Sequence, residues 1–282
     1  MWARKSNCMA SLVRGWASQI ANSQIAAAFP TQIRVLGALI MREAMSRFGR
    51  ENIGFFWLMG EPLLLTLGVM LIWSMTRHNP MTAIIGIVPF VLTGYTMLSL
   101  WRHAVGRSTH AFRRNAGLLF HRRIYYLDIV VSQITLEVVA IGTAFFVAYV
   151  AFYLFGIIDP IHDPLTLVIA WLLMGWFCFG SALIIASLTE MIEPLEHFVQ
   201  PVMYFMLPIS GTFFMVEWLP AQYQKMVLLL PLVHLNEMFR HGLYGNKIVT
   251  HWDIPYIVGW CIAFTALGFL LSQVARERIR FE

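Results

Sequence analysis

Glu137 falls near the middle of a long apolar run, Tyr126–Phe155. Two chemistries are open to a carboxylate in that place. It can take up and release protons for a coupled transporter, or it can bond to a neighbouring helix as a structural group, ionised or neutral. A charge at the centre of a hydrocarbon layer costs about 2.5–3.5 kcal/mol on insertion scales, so the side chain that carries it faces protein or water. Proton coupling normally runs through a relay, and the second, fourth and sixth apolar runs hold no acid in their middles. The structural role is favoured. Glu61 and Asp128 lie nearer the ends of the first and third runs.

A second constellation is His234, Glu237 and His241, which share one face if Pro231–His241 is helical. That face could hold a metal, but the H-E-x-x-H order of zinc peptidases is absent and Arg240 would repel a cation. A salt-bridged helix face is the better reading. No glycine is followed directly by lysine, so the phosphate-cradling G-x-x-x-x-G-K-[ST] loop is missing. If ATP drives this protein, a separate chain hydrolyses it. Cys8, Cys178 and Cys261 show no paired spacing and read as isolated thiols, not metal ligands or a disulfide framework. No cleavable signal peptide is expected, because no continuous apolar stretch follows Arg4 and Lys5.

The elements that must position these residues follow from composition. The chain has 282 residues, of which 59% are hydrophobic and 12% charged, with a mean hydropathy of +0.67. A soluble domain carries about a quarter charged residues, so the bilayer is the expected solvent. Six apolar stretches approach the length needed to cross about 30 Å of hydrocarbon: 54–76, 81–101, 126–155, 165–188, 198–216 and 255–274. The fifth is short and holds Pro201 and Pro208, which predicts a kink or break. The expected fold is an all-α integral membrane protein.

Orientation follows from the basic residues. With the amino terminus inside, sixteen of the 20 Lys and Arg residues are cytoplasmic, and only Arg77, Lys225, Arg240 and Lys247 lie outside. Both termini are then cytoplasmic. Residues 31–52 read as an amphipathic helix at the inner interface, with Ile33, Leu36, Ile40, Ala44 and Phe48 on its apolar face. A cytoplasmic extension of the first span is the competing reading. After the fifth span the sequence is apolar but broken by Pro208, Gly211, Pro220 and Pro231. Its pieces are too short to cross, and re-entrant half-helices are expected before the last span. Residues 1–30 are set apart as an N-terminal extension, leaving 31–282 as one transmembrane domain.

The cytoplasmic connection His103–Arg123 is the candidate docking surface for an ATPase. It presents Arg113, Arg114, Arg122 and Arg123 around the apolar segment Leu118, Leu119 and Phe120. An ordinary positive-inside loop explains the same composition. Arg102, His103 and Arg107, at the inner end of the second span, suit the mouth of a path for an anionic polymer. Aromatic residues near span ends, Trp57 and Tyr204 among them, read as interfacial belts, though some could line a sugar path.

In this layout, several pieces are similar to a known family. They are Met41-Arg42-Glu43 with Arg47-Phe48-Gly49, Gly54-Phe55-Phe56-Trp57 with Glu61-Pro62, Pro208-Ile209-Ser210-Gly211, and Pro231-Leu232-Val233-His234 with Glu237 and Arg240. From about Gln32 onward the chain resembles the permease subunit of type-2 ABC exporters, in the branch that exports capsular polysaccharide from Gram-negative bacteria. The resemblance implies a multi-pass inner-membrane transport subunit, not an enzyme, working as a homodimer with two copies of an ATPase. ATP and Mg would bind that partner, and this chain would bind no cofactor. Arg113–Arg123 would couple to the ATPase, and the outer segment near Gly211–Gly245 would gate the exit. The substrate would be a lipid-linked acidic polysaccharide, passed on to a periplasmic co-polymerase and outer-membrane export proteins. No nucleic acid is involved. An O-antigen or teichoic-acid permease shares the layout. An integral-membrane transferase acting on lipid-linked sugars is the reading from another class, with Glu61 and Asp128 as its candidate acids.

Overall fold

The computed structural model describes residues 30–46, 64, 68, 85–119 and 124–279. All secondary structure among the described residues is helical. Helix α1 covers 30–46. It is followed by α2 (Ile87–Ser108), α3 (Ala111–Arg114), α4 (Ala116–Leu119), α5 (Tyr126–Leu154), α6 (Pro164–Met191), α7 (Glu196–Ile209), α8 (Ala221–Val227), α9 (Pro231–Tyr244) and α10 (Ile254–Ile279). Leu64 and Gly68, the described residues of the first apolar stretch, are also helical.

Among the described residues three helices are long and apolar enough to cross a membrane: α5, α6 and the Ile254–Ala275 part of α10. Their starts are chemically marked. Asp128 accepts the Tyr125 N–H at 2.9 Å at the head of α5. Asp163 caps α6, accepting the N–H groups of Leu165 and Thr166 at 3.1 and 3.2 Å, with Pro164 at the first helical position.

Two expected spans differ from the helices. The second was expected at 81–101, but α2 begins at Ile87 and continues to Ser108. The apolar run stops at Trp101 while the helix does not, because no proline intervenes and Ala104, Val105 and Ser108 keep one face buried. Arg102, His103 and Arg107 therefore sit within α2, not on a loop after it. The fifth was expected at 198–216, but α7 ends at Ile209. Its 14 residues rise about 21 Å, short of a full crossing of about 30 Å. Beyond it the chain turns at Gly211, whose φ of 82° lies in the left-handed region.

Helix α6 is the axis of the packing and touches α10, α9, α2 and α5. Contact with α10 is close enough that a Cβ on Gly180 would lie 2.9 Å from Phe264 Cβ. Small residues allow such approach where apolar burial no longer drives association. Helix α9 is buried along nearly its whole length.

Helix α1 packs inward through an edge other than its expected apolar face, which is read as lying on the membrane interface and not against the protein. Leu39 is its buried apolar residue, whereas Ile33 is exposed, and so are Met41 and Met45. Polar contacts set this rotation: Gln32 donates to Asp128 and Arg42 donates to Asn115. Phe48, the last member of the expected apolar face, lies outside the described residues.

Candidate functional site

The basic residues of α2 divide between two partners. The Arg107 guanidinium lies against Glu137 on α5, and His103 Nδ1 is 3.7 Å from the other carboxylate oxygen. Glu137 is only 1% exposed. A buried carboxylate holds its charge only if opposite charge or hydrogen bonds offset its lost hydration, and α2 supplies both. Arg102 points elsewhere, with its guanidinium carbon 5.4 Å from the centre of the Tyr204 ring on α7. Arg102 and Tyr204, both expected along a substrate path, are thus brought together, while His103 and Arg107 are drawn onto Glu137. Trp57 lies outside the described residues.

Below α2 the chain forms two short helices separated by Asn115. Ala111 and Phe112 are buried, the latter edge-on to Tyr126 with ring centres 5.0 Å apart. Arg113, Arg114, Ala116 and Gly117 are exposed, and Leu118 is half-buried. Arg114 donates to the carbonyls of Arg107 and His110. Partial burial holds the Arg114 guanidinium below its ordinary value, a shift that nearby Glu43 of α1 opposes. Arg113 reaches Glu193, in the connection between α6 and α7, at 2.9 Å and Glu196, the first residue of α7, at 3.7 Å. Phe120, Arg122 and Arg123 lie outside the described residues, as does the side chain of Leu119.

A third cluster joins the chain pieces after α7. Arg240 of α9 is 0% exposed. It donates to the carbonyls of Gly211, Phe214 and Thr212 at 2.8, 2.9 and 2.7 Å, with the Phe90 ring 4.2 Å from its guanidinium carbon. Asn236 donates to the Ser210 carbonyl at 3.0 Å. Glu237 accepts the N–H groups of Val216 and His251, each at 3.2 Å. One helix thereby satisfies the backbone of a loop that secondary structure leaves open. Gly94 of α2 permits the approach, since a Cβ there would sit 2.5 Å from the Thr212 carbonyl oxygen.

The sequence reading treated Arg240 as part of a salt-bridged helix face. It binds carbonyls instead, because an arginine fork presents five donors and the turn presents orphan acceptors. His234 accepts the Asp253 N–H at Nδ1 and donates through Nε2 to the Leu228 carbonyl at 2.7 Å. His241 bonds Thr250 at 3.0 Å. The two histidines serve separate partners, and among the described residues no group of three ligands is placed to hold a metal ion.

Glu193 and Glu196 were missed by sequence reasoning. Counting Lys and Arg to orient the chain passes over acids, and these two lie between apolar runs that drew attention first. Their spacing around Pro194, at the mouth of a short helix, was the available signal.

A family profile for the ABC-2 type transporter matches residues 34–244. The chain belongs to the ABC-2 type transporter family. Among relatives of this ABC-2 chain is the capsule polysaccharide export inner-membrane protein CtrC of Neisseria meningitidis, 40% identical over 245 residues, covering 87% of this chain and 91% of the relative. The capsule polysaccharide export inner-membrane protein BexB of Haemophilus influenzae is 38% identical over 242 residues, with 86% and 91% covered. The polysialic acid transport protein KpsM of Escherichia coli is more distant, at 26% over 256 residues, covering 88% and 96%. Arg240 with its carbonyl partners and the Arg107–Glu137 pair all fall within the matched ABC-2 region.

Proposed function

We propose that this chain is the membrane permease of an ATP-driven exporter that moves lipid-linked capsular polysaccharide across a bacterial inner membrane. The observation that carries the reading is the 38–40% identity, over nearly the whole chain, to proteins named for capsule export at the inner membrane. The geometry agrees with it. Arg102 above Tyr204 offers a cation and a ring face to an acidic sugar chain. The paired acid Glu137 keeps negative charge out of such a path.

In this reading residues 31–282 form one domain of six spans, preceded by an extension over 1–30, with both termini in the cytoplasm. The exposed Ile33, Met41 and Met45 of α1 face the inner leaflet. Helices α8 and α9 are the re-entrant pair, and α3 with α4 meets the ATPase. Two permeases join two ATPase chains, which bind ATP and Mg. A periplasmic co-polymerase and outer-membrane proteins continue the route.

Deletion of the gene should abolish surface capsule and leave polymer inside the cell, with recovery on complementation. The purified permease should bring an ATPase with it and support ATP hydrolysis. Intact capsule in the deletion strain, with loss of O-antigen instead, would move the assignment to that substrate. Turnover of a sugar donor by the isolated chain would replace transport with transfer.

A further inference from the structure

Arg113 lies on the segment expected to meet the ATPase, yet its guanidinium is committed to its own chain. Nη2 lies 2.9 Å from Glu193 Oε1 and Nη1 lies 3.7 Å from Glu196 Oε2. His110 Nδ1 approaches the same Glu196 oxygen at 3.5 Å. One helical turn before the connection, the Thr189 hydroxyl donates to the Thr109 carbonyl at 2.9 Å. All four contacts join the segment just after α2 to the end of α6, the start of α7 or the connection between them. Glu196 is also the first residue of α7, and two turns above it Tyr204 sits under Arg102.

We infer that Arg113 is a positioning residue that ties the ATPase-facing segment to α7, so that displacement of α3 is delivered through Glu193 and Glu196 to the helix carrying Tyr204. The inference rests on the exporter reading given above. Its physical basis is the guanidinium fork, which donates to Glu193 at 2.9 Å with one arm and faces Glu196 electrostatically at 3.7 Å with the other, so that one group bridges both carboxylates. Arg113 and Glu193 are solvent-exposed, and exposed ion pairs add little to folding stability. The tie therefore serves motion more than folding, and its removal leaves a folded protein to measure. Without it α3 still bears on α2, α5 and α6, which it contacts directly, and α2 touches α7, so α7 keeps only a less direct link to the stroke.

The test uses the whole permease–ATPase complex reconstituted in vesicles with its lipid-linked polymer, reading bound ATPase, ATP hydrolysis and polymer translocation together. In Arg113→Gln the ATPase should stay bound, while polymer moved per ATP falls by up to about fivefold, the most that an exposed ion pair can carry. Glu193→Gln with Glu196→Gln should reproduce the defect, and adding Arg113→Gln to that pair should make it no worse. Arg113→Lys should fall between, because it keeps the charge and loses the fork. The exchange Arg113→Glu with Glu193→Arg should restore part of the translocation lost in either single change. Loss of the ATPase from Arg113→Gln would make Arg113 a docking contact and overturn the tie. Native polymer yield per ATP in that variant would overturn it too. Failure of the unaltered chain to bind any ATPase would instead defeat the exporter reading.

Discussion

Neutralising Arg107 alone should do more harm than neutralising it together with Glu137. Arg107→Gln leaves the buried Glu137 carboxylate without its guanidinium, and stranding one side of a buried ion pair costs about 3–5 kcal/mol, whereas replacing both sides is often close to neutral. Thermal melting in detergent should show the larger drop for the single variant, and an equal or larger drop for the double variant would refute the pairing. Arg240 is the second sensitive residue. Arg240→Gln strands carbonyls of Gly211, Thr212 and Phe214 in a dry site, at about 1–3 kcal/mol for each group left unsatisfied. Little folded protein should survive extraction, and Arg240→Lys should fail to rescue it, since a single ammonium does not span three acceptors. The demand of Glu137 for a partner was legible in the sequence, because an acid in a long apolar run is rarely left alone. Its partner was not, since Arg107 is thirty positions away, beyond the apolar run that ends at Trp101. Arg240 reads as part of a salt-bridged helix face outside the membrane, and nothing local reveals that its acceptors are backbone.

Helices α5 and α6 match their expected stretches within three residues, because long apolar runs leave the backbone no partner but itself. The ends of α2 and α7 were less legible, since hydrophobicity reports the solvent and not where hydrogen bonding stops. The capping chemistry of α6 gives a pH prediction. The Thr166 hydroxyl, followed by the Thr166 and Leu165 N–H groups, holds the Asp163 carboxyl below its ordinary value. A depressed folded value means that the cap contributes fully above the unfolded value of about 3.9 and is lost as pH falls through the folded one. Asp163→Asn keeps an acceptor but does not titrate, so it should remove that part of the acid destabilisation. Melting curves from neutral to strongly acid pH test this, and an unchanged acid slope would count against it. At the turn after α7, Gly211→Ala should cost about 1–2 kcal/mol through its φ alone, because a Cβ there meets nothing nearer than 3.5 Å. A larger loss would indicate that the Arg240 contact had shifted as well.

At the scale of the whole molecule, the proposed topology places Gly117 and Lys247 on opposite sides of the bilayer. In a variant without native cysteines, Gly117→Cys should react with an impermeant maleimide only after spheroplasts are opened. Lys247→Cys should react while they are intact, and the reverse pattern would invert the protein. The proposed orientation rests on the arginine asymmetry of the sequence, and the labelling pattern tests it. The sequence did not carry the pairing of distant connections, because Arg113 and Glu193 are 80 residues apart and meet only when α6 has returned the chain to the same end. The shortness of α7 reaches beyond the protein itself. Set in a bilayer next to α5 and α6, it leaves a hydrophobic mismatch along one flank, and adjacent acyl tails must tilt or compress to cover it. Translocation in vesicles should accordingly peak at an intermediate tail length and decline as the tails are extended, and a flat profile would mean that a neighbouring protein surface seals that flank instead of lipid.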